Sequence, residues 1–445
     1  MKVLLIQPPL NPHIVGAGDF YLSEPLALEV LAAAIPEHTV RILDMRLEQG
    51  LEQELDSFRP DAVGVTSYTP NVYAAKNVLR KAKEVCPNAL TVVGGPHATL
   101  VPGDFNEEYI DVLVIGEGQV AFKELLRAHE MKKELSDVSG IALRRRGALF
   151  FTPDREPLAD LDDMAIPARH LTERYRQKYF RGTWRPMASM ITSAGCPYKC
   201  NFCSVWKLQK GRYRAQSPER VVREIESIAE NYVSIADDNF LQDAARARKI
   251  AHLIKERGIK KIFKLIGRAD SIVRHPDVVS LWKDIGMKMV FIGIESVKDE
   301  GLAEMNKKSS VKINSEAIRI LHGLGITISA HFIIHPDFVK EDFEELYRYV
   351  KSMELTQPVF PILTPLPGTD LYEEKKDQLL IRDYEKYDFT HAIIPTKLPQ
   401  REFYGEYIGL YKKCYLSEDN LAARSFVSEQ TMRQIFSKLE QNLLH

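Results

Sequence analysis

The sequence predicts an α/β protein with two domains in tandem, an N-terminal Rossmann-like parallel sheet and a partial (β/α)6 barrel, followed by a C-terminal helical extension. Short apolar strands alternate with amphipathic helices in the first part of the chain, and a second alternation of six strand and helix units begins near residue 188. Such alternation favours parallel sheets covered by helices. At 445 residues the chain also exceeds one domain of about 100–200 residues. We therefore expect a sheet domain at residues 1–135, a hairpin and linker at 136–187, a barrel at 188–395 and helices at 396–445.

The composition argues against several classes of partner and location. Lys+Arg 60 and Asp+Glu 61 nearly cancel, and 45% of the residues are hydrophobic, which is typical of a globular protein. Nucleic-acid binding normally requires a basic excess or stripe, so we expect no nucleic-acid partner. The N-terminal "MKVLLIQPP" is too short an apolar run for a signal peptide, and no stretch approaches the ~20 apolar residues of a membrane-spanning helix. We expect a cytoplasmic protein.

The first domain contains five apolar segments that predict parallel strands. They are "VLLIQ" (3–7), "VRILD" (40–44), "AVGVTS" (62–67), "TVVGG" (91–95) and "VLVIG" (112–116). The clearest helix is "VYAAKNVLRKAKEVC" (72–86), whose apolar residues recur at helical spacing. Parallel sheets of this kind bind ligands at the carboxyl ends of their strands. Those ends carry "SYTPN" (67–71), "GGPHAT" (94–99) and "GEGQ" (116–119), whose small residues let backbone approach a large ligand.

A second series of strands and helices follows a weakly patterned connector. "GIALRRRGALFF" (140–151) predicts a β-hairpin, and "DREPLADLDDMAIPARH" (154–170) predicts a linker rich in Pro and Asp. The predicted barrel strands are "ASMITS" (188–193), "VSIADDN" (233–239), "IFKLIGRAD" (262–270), "KMVFIGIES" (288–296), "ITISAHFII" (326–334) and "PVFPILTPLPGT" (358–369). Ser217 and Pro218 form an expected helix start. Six units are fewer than the eight of a closed barrel, so we expect an open barrel with its site at the carboxyl ends of the strands.

Three of the five cysteines occur in one loop, "AGCPYKCNFCSVW" (194–206), at the spacing C-x3-C-x2-C. Cys86 and Cys414 lie in predicted helices, where we expect them to pack. A closed zinc site would need a fourth Cys or His, and the loop contains no His. Three thiolates can instead hold one face of a 4Fe-4S cluster and leave its fourth iron without a protein ligand. Cys196, Cys200 and Cys203 are therefore the predicted cluster ligands.

This cysteine loop resembles that of the radical S-adenosylmethionine (SAM) superfamily, including the aromatic Phe202 before the last cysteine. The resemblance implies that SAM chelates the open iron and is cleaved reductively to a 5′-deoxyadenosyl radical. It also implies SAM-binding positions at successive strand ends. They are Asp237, Asp238 and Asn239 for the amino group, Arg268 for the carboxylate, Glu295 and Ser296 for the ribose, and Phe202 with residues 364–369 for the adenine. Each taken singly could also be a helix cap or a turn residue, and His331 and His335 could be packed residues or face the substrate.

The first domain resembles the cobalamin-binding class of this superfamily. The resemblance covers the chain to about residue 415 and implies that a corrin lies on the three loops at the strand ends. Ser67, Tyr68 and Thr69 would lie under its lower face, with Gly94, Gly95, Pro96, His97 and Thr99 beside its nucleotide tail and Gly116, Glu117, Gly118 and Gln119 continuing the tail pocket. Some members with this domain order have lost the vitamin.

One motif departs from the pattern of other cobalamin enzymes. Many cobalamin enzymes of other kinds bind cobalt through the His of D-x-H-x-x-G after the first strand, whereas this chain has "NPHIVG" (11–16). An acidic residue would orient the imidazole by accepting its second N–H, which Asn does poorly. We therefore expect His13 to be a loop residue, with cobalt ligation as the alternative.

The resemblance implies a radical SAM C-methyltransferase that contains a 4Fe-4S cluster, SAM and cobalamin. The methyl group of methylcobalamin would pass to an unactivated carbon after the 5′-deoxyadenosyl radical has removed a hydrogen. Alternatives are a cobalamin-dependent cyclase or oxidase, and an iron–sulfur redox or sensor protein without turnover. An electron donor such as flavodoxin or ferredoxin is the implied partner. The substrate is open between a small molecule, a lipid, a peptide and a protein side chain.

Overall fold

The computed structural model describes residues 1–416 and 426–444, which form two compact units. The first unit comprises residues 1–12, 24–178 and 383–385. The second comprises residues 13–23, 179–382 and the described part of 386–445. The residues 417–425 and 445, which belong to the predicted C-terminal helical region, lie outside the described residues.

The first unit is built on a seven-stranded sheet, and its first five strands along the chain are parallel, as predicted. Its strands are β1 (Lys2–Gln7), β2 (Thr39–Asp44), β3 (Ala62–Thr66), β4 (Leu90–Gly94), β5 (Val112–Val114), β6 (Ile141–Arg145) and β7 (Ala148–Phe151). Their order in the sheet is β2-β1-β3-β4-β5-β6-β7. The carboxyl ends of β3, β4 and β5 are therefore neighbours along one edge of the sheet.

Helices cover both faces of this sheet because its parallel strands are apolar on both sides. They are α1 (Leu26–Ala33), α2 (Leu51–Phe58), α3 (Val72–Val85), α4 (Pro96–Leu100) and α5 (Gly118–Glu130). Helices α2 and α3 pack on one face, where Leu55 and Leu79 are buried, and α1 and α5 pack on the other, where Leu28 and Leu125 are buried. The strands thus fix the positions of the loops at their carboxyl ends.

The predicted hairpin joins the sheet as β6 and β7 rather than separating two domains. Strand β6 pairs antiparallel with β5, and β7 pairs antiparallel with β6. The linker that follows also packs on the first unit, where Thr172 Oγ1 donates to Glu29 Oε1 at 2.5 Å. The compact unit therefore extends to Lys178, beyond the predicted boundary at residue 135.

The second unit contains the six predicted parallel strands in consecutive order. They are β8 (Met187–Met190), β9 (Tyr232–Ile235), β10 (Ile262–Gly267), β11 (Met287–Glu295), β12 (Thr327–Phe332) and β13 (Gln357–Val359). Two short antiparallel pairs accompany this sheet. Ser193–Ala194 pairs with Arg214–Ala215, and Tyr21–Leu22 pairs with Phe180–Arg181. The first of these pairs lies at the start of the cysteine loop.

Helices of the second unit alternate with its strands and include the C-terminal extension. They are α6 (Val205–Leu208), α7 (Pro218–Ser227), α8 (Ala244–Glu256), α9 (Ala269–Arg274), α10 (Pro276–Asp284), α11 (Asp299–Glu304), α12 (Val311–Gly323), α13 (Lys340–Ser352), α14 (Asp370–Lys375), α15 (Gln400–Leu416) and α16 (Glu429–Leu444). The predicted start of α7 is confirmed, since Ser217 Oγ accepts from the Arg220 backbone N–H at 3.2 Å. Helices α15 and α16 pack into the same apolar core as the barrel strands.

Within residues 1–416 and 426–444, no helix has the length and apolar character that crossing a membrane requires.

Candidate active site

The three cysteines lie in the loop that follows β8, between the short strand Ser193–Ala194 and α6. Cys200 is buried, whereas Cys196 and Cys203 are partly exposed, and all three carry free thiols. The loop begins at Gly195, whose φ of +89° is a left-handed conformation. A Cβ at this position would lie 2.0 Å from the carbonyl oxygen of Arg212. Only glycine therefore allows the chain to enter the loop at this point.

The cysteine side chains are partly or fully removed from solvent. In such surroundings a negatively charged thiolate is stable only beside a positive charge. Burial raises the pKa of Cys196, and it raises the pKa of Cys203 to about 11. Within residues 1–416 and 426–444, no three His, Cys, Asp or Glu side chains converge as they would around a single metal ion. A 4Fe-4S cluster requires no such convergence because each thiolate binds a different iron. The donor set fits the cluster, whose positive charge would stabilise the thiolates.

Two of the predicted SAM-binding carboxylates hold the cysteine loop against the second strand. Asp237 is fully buried and accepts three hydrogen bonds of 2.6 Å, from the Thr192 N–H and from the Thr192 and Ser193 hydroxyls. Asp238 is exposed, and its carboxylate accepts from the Gly195 N–H at 3.0 Å. Although the residue is exposed, nearby protein atoms partly desolvate its carboxylate, and this effect, together with the neighbouring Asp237, raises the pKa of Asp238 to about 6. Asp237 is thus a positioning residue, while Asp238 faces the solvent beside the loop.

We predict that Asp237→Ala destabilises the second unit by about 3 kcal/mol, because it leaves three buried donors without their acceptor. Asp238→Ala is the matched control, since it removes an exposed carboxylate with one backbone hydrogen bond and is expected to cost about 1 kcal/mol or less. Denaturant unfolding of the full chain, followed by a probe in the second unit, measures both effects. Equal losses for the two variants would contradict the role assigned to Asp237.

Arg268 connects the third strand end to the cysteine loop. Its guanidinium lies 3.5 Å from the ring centroid of Tyr198, which follows Cys196 by two residues. Its Nε donates to Asp270 at 2.9 Å, and its Nη2 donates to the Lys307 carbonyl at 2.6 Å. The Tyr198 hydroxyl donates to Asp270 at 2.6 Å. Arg268 thus has a defined orientation, although part of its hydrogen-bonding capacity is used within the protein.

Asn239 lies behind this arginine and is buried. Its Oδ1 accepts from the Arg268 backbone N–H at 3.3 Å, and its Nδ2 donates to Gln242 and Ser271. These contacts order the ends of β9 and β10 relative to each other. Asn239 therefore positions the strand ends on which the predicted SAM-binding side chains lie.

Glu295 and Ser296 lie at the end of β11, as predicted. Glu295 has a φ of +63°, and its carboxylate accepts from Lys307 Nζ at 2.6 Å. It folds over Gly293, where a Cβ would lie 2.2 Å from Glu295 Oε1. Ser296 Oγ accepts from the Lys298 N–H at 3.0 Å, which begins the turn into α11. The ion pair neutralises the Glu295 charge beside the third and fourth strand ends.

The cysteine loop has further contacts that hold the segment around Phe202, which is partly exposed. The Asn201 N–H donates to the Met305 carbonyl at 3.3 Å, and Asn306 Nδ2 donates to the Lys199 carbonyl at 2.6 Å. Within residues 364–369, Thr369 Oγ1 accepts from the Tyr372 N–H and caps α14. Four residues of these contacts were not predicted from the sequence, namely Tyr198, Asp270, Lys307 and Asn306. The polar residues directly after "IFKLIGR" were the available signal for Asp270.

The loops predicted to hold a corrin are brought together at one edge of the first unit's sheet. The Ser67 N–H donates to the Gly94 carbonyl at 2.8 Å, and the His97 N–H donates to the Ser67 carbonyl at 3.1 Å. Gly95 has a φ of +100°, and a Cβ there would lie 2.8 Å from the Ser67 carbonyl oxygen. Thr99 Oγ1 accepts from the Gly116 N–H at 3.0 Å and so joins the second loop to the third.

The polar side chains of these loops differ in burial and in hydrogen bonding. His97 is 2% exposed, with Nδ1 at 3.0 Å from Thr69 Oγ1 and Nε2 at 2.8 Å from Asp104, so both ring nitrogens have partners. Tyr68, by contrast, is 54% exposed at the same edge. A Cβ on Gly116 would meet no atom within 4 Å. Exposed Tyr68 and the open backbone at Gly116 are features that fit a flat ligand such as a corrin.

The third loop also supports the linker of the first unit. Glu117 accepts from the Leu158 N–H at 2.8 Å, and Gln119 accepts from the Ala165 N–H at 2.9 Å. Gly118 is tightly packed, since a Cβ would lie 3.3 Å from Leu31. Pro96 is the first residue of α4. These residues therefore order the loop, and their predicted contact with cobalamin stays a prediction.

The three histidines discussed above lie in the second unit. The His13 ring packs edge-on against His391, with their centroids 6.1 Å apart, and the His13 carbonyl accepts from Asn442. The His331 ring contacts the Phe291 ring, with an angle of 33° between the two planes. His335 Nδ1 lies 3.4 Å from an Asp337 carboxylate oxygen. Cobalt ligation by His13 remains the alternative hypothesis.

Comparisons with known proteins match both halves of the chain. Residues 190–350 match the model of the radical SAM superfamily, and residues 12–126 match that of the B12 binding domain. The chain is 35% identical to the hopanoid C-3 methylase of Methylococcus capsulatus, covering 93% of this chain and 81% of that protein. It is 30% identical to an uncharacterized methyltransferase of Pyrococcus horikoshii, covering 94% and 92%.

Two further similarities concern a cyclase and a solved structure. The chain is 29% identical to the anaerobic magnesium-protoporphyrin IX monomethyl ester cyclase of Cereibacter sphaeroides, covering 94% of this chain and 71% of that protein. The structure of the radical SAM methyltransferase TsrM from Kitasatospora setae, with cobalamin and a 4Fe-4S cluster, has a TM-score of 0.70 at 17% identity and covers 93% and 88% of the two chains. This likeness confirms the predicted fold.

Proposed function

Because this chain belongs to the B12-binding radical SAM superfamily, we propose that it is a C-methyltransferase that methylates an unactivated carbon. The family contains a 4Fe-4S cluster, SAM and cobalamin. Methyl transfer is favoured by two relatives, one named as a methylase and the other as a methyltransferase. Each is at least 30% identical to this chain over more than 90% of its length.

The chain's own residues bind and orient the reacting groups in this proposal. Cys196, Cys200 and Cys203 hold the cluster, and the missing fourth ligand leaves one iron for SAM. When bound, the cluster and SAM supply the 5′-deoxyadenosyl radical, and cobalamin supplies the methyl group. Asp238 binds the SAM amino group, and Arg268 binds its carboxylate, with Tyr198 and Asp270 holding the guanidinium in place.

The remaining predicted residues complete the two binding surfaces in this proposal. Glu295 and Ser296 lie beside the ribose, and Phe202 with residues 364–369 lies beside the adenine. Asp237 and Asn239 do not contact SAM in this proposal. Asp237 positions the cysteine loop, and Asn239 positions the ends of β9 and β10. The open edge formed by Tyr68 and the glycines of the second and third loops carries the corrin. A low-potential electron donor such as flavodoxin or ferredoxin is required by this chemistry.

A cobalamin-dependent cyclase or oxidase is the second candidate. The observation that favours it is the 29% identity to a magnesium-protoporphyrin ester cyclase. The two reactions differ in the fate of the SAM methyl group, because only a methyltransferase must reload its corrin with it. This difference can be measured without knowing the substrate.

The test uses the full chain, purified anaerobically, reconstituted with iron, sulfide and cobalamin, and given SAM with a deuterated methyl group and a strong reductant. We expect bound corrin to become deuteromethylated, with release of S-adenosylhomocysteine, and we expect 5′-deoxyadenosine to form. Formation of 5′-deoxyadenosine without labelled methylcobalamin would contradict methyl transfer and favour the cyclase or oxidase. Mass spectrometry of the extracted corrin provides the measurement.

A further inference from the structure

The inner face of the barrel sheet carries a polar layer that the SAM-binding residues do not use. Ser234 on β9 is in register with Lys264 on β10, and Ser329 on β12 is in register with Gln357 on β13. Lys264 Nζ lies 3.5 Å from Ser234 Oγ. Arg181 enters the same layer and donates from Nη2 to Ser329 Oγ at 3.0 Å. We call this space the lumen, defined by these five residues.

The lumen contains two cations that lack an acidic partner. Among the residues that the structure describes, neither Lys264 nor Arg181 forms an ion pair with a carboxylate, and Lys264 is only 7% exposed. Glu295 lies at the carboxyl end of β11, where Lys307 already neutralises it. Burial lowers the pKa of Lys264 to about 7, and the Arg181 charge contributes to this shift. Buried cations are costly unless a counter-ion accompanies them.

Further polar atoms of the lumen lack hydrogen-bond partners. Gln357 is 5% exposed, and its Oε1 has no partner among the described residues. The same is true of Arg181 Nε, within residues 1–416 and 426–444. Buried polar groups are normally paired, so atoms of this kind suggest a ligand that completes them. The donors of Lys264 and Arg181 suit an oxyanion.

Aromatic rings cover one side of the lumen and leave it accessible. The Phe291 and His331 rings contact each other with their centroids 3.8 Å apart and their planes inclined by 33°, and Lys264 Nζ lies 5.7 Å from the Phe291 centroid. Phe291, His331 and Arg181 are all partly exposed although they lie on the inner side of the barrel. Burial and the nearby cations lower the pKa of His331 well below 6.5, so its ring is neutral at physiological pH.

We propose that the lumen binds an anionic group of the substrate, a carboxylate or a phosphate ester, through Lys264 and Arg181. The rings of Phe291 and His331 contact the apolar part of the molecule next to that group. The identification of the ligand as the substrate rests on the proposed function, whereas anion binding itself does not. Lys264 and Arg181 are then specificity-determining residues, which favour acidic substrates over neutral molecules of the same shape.

The proposal predicts a dependence of affinity on pH. Arg181 is the charged group that acts on Lys264, and His331, on which both cations act, is neutral. Lys307 also acts on His331, but it is paired with Glu295, so that pair carries no net charge. A bound anion raises the pKa of Lys264. Where Lys264 is neutral in the free protein, it must therefore take up a proton when the anion binds. Affinity should therefore be highest below about pH 7 and fall at higher pH, by at most about tenfold per pH unit.

The test measures binding of hexanoate, hexyl phosphate and the neutral control hexan-1-ol to the full reconstituted chain by calorimetry at pH 6.5, without reductant. We expect one or both anions to bind, and Lys264→Met to weaken that binding about 10- to 100-fold, the range expected for a charge-assisted hydrogen bond. Lys288→Met is the matched control, because Lys288 is exposed on the neighbouring strand β11, and it should change nothing. Lys264→Arg keeps the charge and should retain most of the affinity.

The outcomes separate the possible ligands and decide the proposal. Preference for hexyl phosphate identifies a phosphate ester, and preference for hexanoate identifies a carboxylate. Equal binding to the wild type and a folded Lys264→Met variant, or binding of hexan-1-ol as tight as that of both anions, would overturn it. Because no turnover is needed, a failed methyl-transfer assay leaves this result intact.

Discussion

Replacement of Cys196, Cys200 or Cys203 by Ala is expected to abolish the formation of 5′-deoxyadenosine from SAM while leaving cobalamin on the first unit. Each change removes one of the three proposed protein ligands, so we expect the cluster to be lost or displaced. We expect cleavage to fall by more than about 100-fold, since changes to residues that merely support metal ligands typically cost 10- to 100-fold. Iron content, the optical spectrum and the yield of 5′-deoxyadenosine measure the loss, and extraction measures the retained corrin.

Cys414→Ala is the matched control for these variants. Cys414 is a buried cysteine of the same unit on α15, where it packs in the apolar core. The same chemical change at this position should leave iron content and SAM cleavage close to the wild-type values. Persistence of cleavage in any one of the three loop variants would show that the three cysteines are not the ligands of one essential cluster.

Gly195→Ala is expected to prevent cluster assembly although it changes no ligand. The left-handed φ of +89° alone costs an alanine about 1–2 kcal/mol. The Cβ would also lie 2.0 Å from the Arg212 carbonyl oxygen, a contact that only a backbone shift can relieve. Such a shift would disturb the pairing of Ser193–Ala194 with Arg214–Ala215, which sets the start of the loop. We expect iron content after reconstitution to fall at least about tenfold, which is the lower end of the 10- to 100-fold range for indirect effects on metal binding.

Gly211→Ala tests whether the close contact or the conformation alone is responsible. Gly211 follows α6 in the same region and has a φ of +71°, but a Cβ there would meet no atom within 4 Å. It should cost about 1–2 kcal/mol of stability and retain the cluster. If both variants lost iron to the same extent, the contact between residue 195 and Arg212 would not be the cause.

The order and type of the strands could be predicted because their signals are local. Apolar segments of five to twelve residues bounded by turn residues gave all five parallel strands of the first unit and all six of the second. The sixth strand of the second unit is the exception in its length, since it ends at Val359 and not at the predicted residue 369. The start of α7 was equally local, since Ser217 and Pro218 act on the turn directly after them. The assignment of the hairpin was less complete, because its pairing with β5 depends on a non-local contact.

The roles of the polar residues at the strand ends needed the tertiary structure. Asp237 and Asp238 are adjacent and chemically identical, yet one is fully buried with three hydrogen bonds and the other is exposed. Successive residues after a strand point in opposite directions, and only the packed neighbours reveal which direction is inward. Tyr198 and Asp270 were missed for a related reason, since their hydrogen bond joins distant segments of the chain.

The sequence by itself determined the spacing of Cys196, Cys200 and Cys203, because that spacing depends only on neighbouring residues. It also determined the two parallel sheets and the edges at which the loops between strands and helices lie, because these follow from the period of the apolar pattern. The tertiary structure alone decided that Asp237 positions the cysteine loop and that Arg181 acts electrostatically on Lys264 within the lumen. Those two cations come from separate segments, and only strand register and the closure of the sheet bring them together. Buried charge and its missing counter-ion are properties of the folded arrangement, which no local pattern encodes.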